Sequence, residues 1–131
     1  MKYLGDLRTK AIHVKSNSNI ITDAPVDNQG KGEKFSPTDL IASSLGSCML
    51  TIMGISARTY RIDITGASAN VTKIMSSNPR RIKEIYIDIS FYKHINKKHR
   101  IILERSARSC PVSKSINPKI NEVITFNYLS E

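Results

Sequence analysis

The run from Ser36 to about Tyr60 constrains this chain more than any other part of it. Leu40, Ile41, Leu45, Met49, Leu50, Ile52, Met53 and Ile55 cover much of the circumference of a 3.6-residue helix, and the residues between them, among them Ala42, Gly46 and Gly54, are small. A helix apolar on nearly every side belongs in the middle of a structure, so a partner subunit is expected to cover part of it in a chain this short. Gly46 and Gly54 each cost roughly 1 kcal/mol against alanine inside a helix, so both are expected to mark close packing. The start is well signposted. Ser36 is a natural N-cap, Pro37 suits the first helical position, and Asp39 stands where a capping box puts its acid.

Strand signals flank this helix. Thr9 to Lys15 reads as a strand, Ser16 to Asn19 as a turn and Ile20 to Thr22 as the returning strand of a hairpin, followed by a polar loop from Asp23 to Lys34. Ala67 to Met75 is a further strand and Ser76 to Pro79 a turn. Ile82 to Tyr92 then alternates cleanly, with Ile85, Ile87, Ile89 and Phe91 on one face and Glu84, Tyr86, Asp88 and Ser90 on the other. Such a sheet has one wet face. Asn96 can cap a helix from Lys97 to about Arg108 that turns Ile102, Leu103 and Ala107 to the core. Cys110 to Ile116 resembles a short helix, and Val123 to Leu129 a closing strand. Strand pairs interrupted by helices argue for one α+β domain over residues 1–131.

A chain of 131 residues can bury a core without disulfide or metal staples. No apolar stretch reads as long enough to span a bilayer, and the opening residues lack the apolar centre of a signal peptide, so a soluble, cytoplasmic protein is expected. The net charge of +9 is compatible with an anionic partner. However, the clusters Arg80-Arg81-Ile82-Lys83 and Lys97-Lys98-His99-Arg100 fit a turn and an exposed helix start, and no aromatic residues interleave them. Nucleic acid is therefore not the expected partner.

Chemistry is concentrated in two cysteines. In a reducing compartment such a pair is more often catalytic, redox-sensing or metal-binding than structural, and the isolated Cys48, Cys110, His13, His94 and His99 lack the spacing of a zinc site. Cys48 lies mid-helix, with Ser44, Leu45, Thr51 and Ile52 as its neighbours on the same face. Burial there would raise its pKa, and the helix N-terminus is too distant to help, so a reactive Cys48 needs a cation from elsewhere in the fold. Cys110, just before Pro111, occupies the N-cap position of the short helix, where free backbone N–H groups favour a thiolate. Two unrelated cysteines acting as small hydrophobes remain the alternative on spacing alone.

The segments Phe35-Ser36-Pro37-Thr38-Asp39-Leu40-Ile41-Ala42-Ser43-Ser44-Leu45-Gly46-Ser47-Cys48 and Ser109-Cys110-Pro111-Val112-Ser113-Lys114-Ser115 resemble the two cysteine motifs of the OsmC/Ohr family of osmotically inducible and organic hydroperoxide resistance proteins. The resemblance extends over nearly the whole chain. It implies an OsmC-like fold, with antiparallel sheets wrapped around long central helices in an intertwined homodimer. It also implies a cysteine-based peroxidase without haem, metal or other cofactor, acting on organic hydroperoxides and extending to hydrogen peroxide. Carried over by motif, Cys48 would attack the peroxide and become a sulfenic acid. Cys110 would resolve it to a disulfide, which a dithiol reductant then opens.

The family's activating pair matches less closely. Where the organic hydroperoxide resistance enzymes carry a glutamate ten residues before the reactive cysteine, this chain has Thr38, with the acid one place later at Asp39. Asp39 is about 180° from Cys48 on the helical wheel, so a capping role suits it better. Arg8 is the one arginine before the helix and the candidate for the family's arginine, with Lys15, Lys31 and Lys34 as other sources of charge. These departures place the chain nearer the OsmC-like branch. A redox sensor or small-molecule-binding protein of the same fold is the non-enzymatic alternative.

Overall fold

The computed structural model describes residues 1–130 and divides into two compact units, Met1–Ile41 and Ala42–Glu131, with the long helix running across the boundary.

The first unit is an antiparallel sheet in the order β1 (Lys2–Gly5), β2 (Arg8–Ile12), β3 (Asn19–Asp23). Strand β1 was not expected from the sequence. It is held to β2 by the two-residue turn Asp6-Leu7, both at positive φ, the combination whose twist suits a tight hairpin. Strand β2 ends at Ile12, before the expected Lys15. The His13 amide and carbonyl bond Ser18 and Asn17, so the β2–β3 turn opens three residues earlier than its polar residues indicate. A 3-10 turn, Val26–Asn28, punctuates the loop that follows. Gly30 is obligatory here, because a Cβ would fall 1.7 Å from the Ala24 carbonyl oxygen.

The expected capping box opens α1 (Pro37–Thr59). The Asp39 amide donates to Ser36 Oγ at 3.0 Å, and the Ser36 amide donates to Asp39 Oδ2 at 2.9 Å.

In the second unit, β4 (Ser68–Ser76), β5 (Arg81–Ser90) and β6 (Asn121–Asn127) form the other three-stranded sheet, in that order. Strands β4 and β5 are antiparallel, but β5 and β6 are parallel, so this sheet is mixed where an antiparallel one was expected. Parallel neighbours need a crossover, and α2 (Lys97–Arg108) and α3 (Pro111–Ser115) lie within it. The β5 alternation is as expected: Ile85, Ile87, Ile89 and Phe91 are buried together with Leu45, Met49 and Met53 of α1 and Leu103 and Ala107 of α2. Asn96 caps α2 through a bond from the His99 amide to its Oδ1.

Within one chain α1 is covered on one side: Ala42, Leu45, Met49, Met53 and Ala57 form one buried stripe, while Ile41, Ser44, Thr51 and Ile55 stay exposed, which leaves the face that a partner was expected to cover. A single sheet face covers only one side of a cylinder. Gly46 does mark a close approach, since a Cβ there would stand 2.6 Å from Val71 Cγ2, but Gly54 faces open space. By length and composition alone α1 could also cross a membrane, contrary to the sequence reading, yet its buried stripe is the core of the second unit.

Candidate active site

Cys48 and Cys110 are both free thiols, both belong to the second unit, and both pack in its apolar core cluster. Cys48 projects from the middle of α1 and is half-buried, while Cys110 is fully buried at the N-cap of α3. Although more than sixty residues separate them in sequence, the fold brings Cys48 near enough to Cys110 to help raise its pKa.

The surroundings of Cys110 come from three elements. Its Sγ accepts the Ser113 backbone N–H at 3.4 Å, an N-cap interaction made by sulfur. Ser113 Oγ in turn lies 2.9 and 2.8 Å from the two carboxylate oxygens of Glu122 on β6. Cys48 approaches from α1. Burial pushes the Cys110 thiol above its ordinary pKa. The Ser113 amide works against this, while the neighbouring Cys48 and the negative charge of Glu122 add to it. The N-cap position therefore does not make Cys110 a thiolate as its sequence context had indicated, because desolvation outweighs a single N–H bond.

On α1, Thr51 offers Cys48 no hydroxyl donor, because its Oγ1 donates to the Ser47 carbonyl at 2.8 Å. The charge that the fold brings beside Cys110, that of Glu122, is opposite in sign to one that would favour a thiolate there.

Arg8 belongs to the first unit, where its neighbours are acidic. Nε and Nη2 grip the two Asp23 oxygens at 2.7 and 2.8 Å across the β2–β3 pair, and Nη2 also reaches Glu33 at 3.2 Å. The Glu33 amide donates to Asp23 Oδ2 as well, so a fully buried carboxylate is satisfied by a guanidinium and a backbone N–H. The Arg8 hydrogen bonds hold the Asp23 carboxyl below its ordinary pKa despite the opposing cost of burial. Thr38 Oγ1 lies 3.2 Å from Ser36 Oγ, and Asp39 caps the helix. Lys31 pairs with Asp6 at 3.9 Å.

Sequence reasoning missed Asp23 and Glu33 as partners of Arg8, and Glu122 beside the thiols. Glu33 lay in a loop read only as polar, and no local pattern joins Glu122 to Ser113 across the chain that separates α3 from β6.

The family model for OsmC-like proteins matches residues 30–123. The fold superposes with a TM-score of 0.93 on a Psychrobacter arcticus 273-4 protein provisionally described as an osmotic stress induced and detoxification response protein. That protein is 56% identical over 96% of this chain and 92% of its own. A Legionella pneumophila organic hydroperoxide resistance protein, OsmC, shares the fold at 13% identity and a TM-score of 0.72, covering 96% of this chain and 99% of its own. The organic hydroperoxide resistance protein OhrB of Bacillus subtilis shares it at 14% identity and 0.59, covering 92% and 96%. No curated protein matches the sequence.

Proposed function

This chain belongs to the OsmC-like family, and from that premise we propose that it is a thiol-dependent peroxidase that reduces organic hydroperoxides. The observation that carries this reading is that two free thiols share one core cluster in unequal surroundings: Cys48 half-buried, Cys110 sealed in the core. The names of the Legionella and Bacillus proteins of like fold, which concern hydroperoxide resistance, point to the same chemistry.

The division of labour follows from accessibility. A peroxide reaches Cys48 first. The Cys48 thiolate attacks the terminal oxygen of the hydroperoxide, the O–O bond breaks, and the departing alkoxide takes a proton to leave as an alcohol, so the sulfur is oxidised to a sulfenic acid. Cys110, kept protonated by burial, is the reserve thiol. Its sulfur attacks the Cys48 sulfur, and the displaced hydroxide leaves with the Cys110 proton as water. A dithiol reductant then exchanges with the Cys48–Cys110 disulfide and restores both thiols. The apolar surroundings of Cys48 suit an organic substrate.

Arg8 is the candidate for the family's activating arginine, and Asp23 and Glu33 hold its guanidinium in one orientation. The protein works as a homodimer in the cytoplasm, and the exposed Ile41 and Ile55 on α1 are the surface a second copy would cover.

Purified protein with excess dithiothreitol is to be assayed with cumene hydroperoxide and with hydrogen peroxide. Many turnovers are expected, faster with the organic peroxide. Cys48→Ser abolishes them, and Cys110→Ser, given one equivalent of peroxide without dithiothreitol, accumulates a sulfenic acid. Oxidation that stops after one equivalent in dithiothreitol-replete protein would indicate a sensor instead.

A further inference from the structure

We propose that Glu122 is a positioning residue for disulfide formation: by gripping Ser113 Oγ it fixes the single turn of α3, and with it the Cys110 sulfur, against Cys48. The inference rests on the reading of Cys110 as the resolving thiol and adds a residue to that step.

Helix α3 is weak by itself. It is five residues long, and bonds such as Lys114 N–H to the Cys110 carbonyl at 3.3 Å and Ile116 N–H to the Val112 carbonyl at 3.1 Å give it a single turn. One turn fixes several dihedrals for few bonds and does not stand by itself in water. None of its residues from Pro111 to Ser115 is buried. Yet the thiol at its N-cap must meet Cys48 in a geometry that tolerates little error, since sulfur–sulfur bonding demands closely spaced Cβ atoms.

Ser113 links the two requirements. Its backbone N–H points at Cys110 Sγ, and its hydroxyl lies between both oxygens of a carboxylate carried by a strand. Strand β6 is a rigid support: it pairs with β5 along its length, and Glu122 stands opposite Ile85, a fully buried residue. A hydroxyl donating to a carboxylate makes one of the stronger hydrogen bonds available to serine. The negative charge works against ionisation of Cys110, so the contact is poorly explained as thiol activation and well explained as an anchor.

The test follows the two oxidation steps separately, using about one equivalent of cumene hydroperoxide and trapping sulfenic acid with dimedone. Sulfenic acid forms on Cys48 at the wild-type rate in Glu122→Ala, Ser113→Ala and the double variant. Closure of the Cys48–Cys110 disulfide slows about tenfold in each single variant, the loss expected for one charge-assisted hydrogen bond. The double variant is no slower than either single one, because both remove the same bond. Glu122→Gln, which keeps an acceptor oxygen, restores closure to within about threefold of wild type, which general loosening of the sheet would not allow. Ser113→Ala removes one oxygen atom and keeps the backbone N–H, so misfolding of Glu122→Ala would not shield the proposal.

Wild-type closure in Ser113→Ala, or single effects that multiply in the double variant, would overturn it. If the wild type forms no sulfenic acid, the peroxidase reading fails by itself. Closure is then driven by diamide, which takes two electrons and two protons from the thiol pair and becomes the hydrazine. The same pattern of slowing supports the anchor, and equal rates refute it.

Discussion

The two units are stabilised by opposite means. Among the described residues, every buried apolar side chain, from Ala42 to Cys110, lies in the second unit, while the buried polar ones, Thr22, Asp23 and Ser36, lie in the first. The second unit hides isoleucines of β5 against methionines of α1. The first leaves Tyr3, Leu4, Ile12 and Ile20 about half exposed or more and depends on a guanidinium, two carboxylates and a capped helix start. One is sensitive to volume, the other to charge. The same contrast separates the proposed working parts, since the thiols sit in a low-dielectric core and Arg8 in an ionic network.

Removing volume from the second unit is expected to have the largest effect. Ile87→Ala leaves a cavity in a fully packed sheet face and should cost about 3 kcal/mol in urea unfolding, with little dependence on salt. Next is Asp23→Asn, which takes the charge from a buried carboxylate held by Arg8 and should lower Tm by about 8 °C at pH 7.

The same residue sharpens the contrast through pH. Asp23 titrates below its ordinary value of 3.8 in the folded chain, so the unfolded state binds the proton first on acidification. Its contribution is complete above that ordinary value and is lost as pH falls through the lower folded one. Wild-type Tm should drop more steeply than that of Asp23→Asn below about pH 4, and parallel curves would show that the pair contributes nothing. The smallest expected effect is at the helix start, where Ser36→Ala removes one half of the capping box at a cost of about 1 kcal/mol by thermal melting.

How much of this was legible in the sequence depended on whether the signal was local. The period of two in Ile85, Ile87, Ile89 and Phe91, the Asn96 cap and the Ser36–Asp39 box all act within a few residues and were readable. Strand β1 was not, because it has four residues and its turn uses Leu7 at positive φ, where glycine or asparagine is the usual sign. The direction of β6 was equally hidden, since parallel and antiparallel partners carry similar strand patterns. At the candidate site, residue type and motif singled out Cys48 and Cys110. Their meeting, and the Glu122 carboxylate beside them, depend on the crossover between β5 and β6 and leave no trace at either end of the sequence.

That parallel pairing also sets an order of events during folding. From Glu84↔Asn121 to Ser90↔Asn127, every rung of the β5–β6 ladder joins residues that stay far apart until the intervening loop closes. Closing so long a loop is entropically slow compared with forming the β4–β5 hairpin. Cys110 lies within that loop, so its approach to Cys48 is expected to follow the hairpin rather than precede it. A nascent chain is then expected to hold its two thiols apart through the early stages of folding and to bring them together as the second sheet is completed.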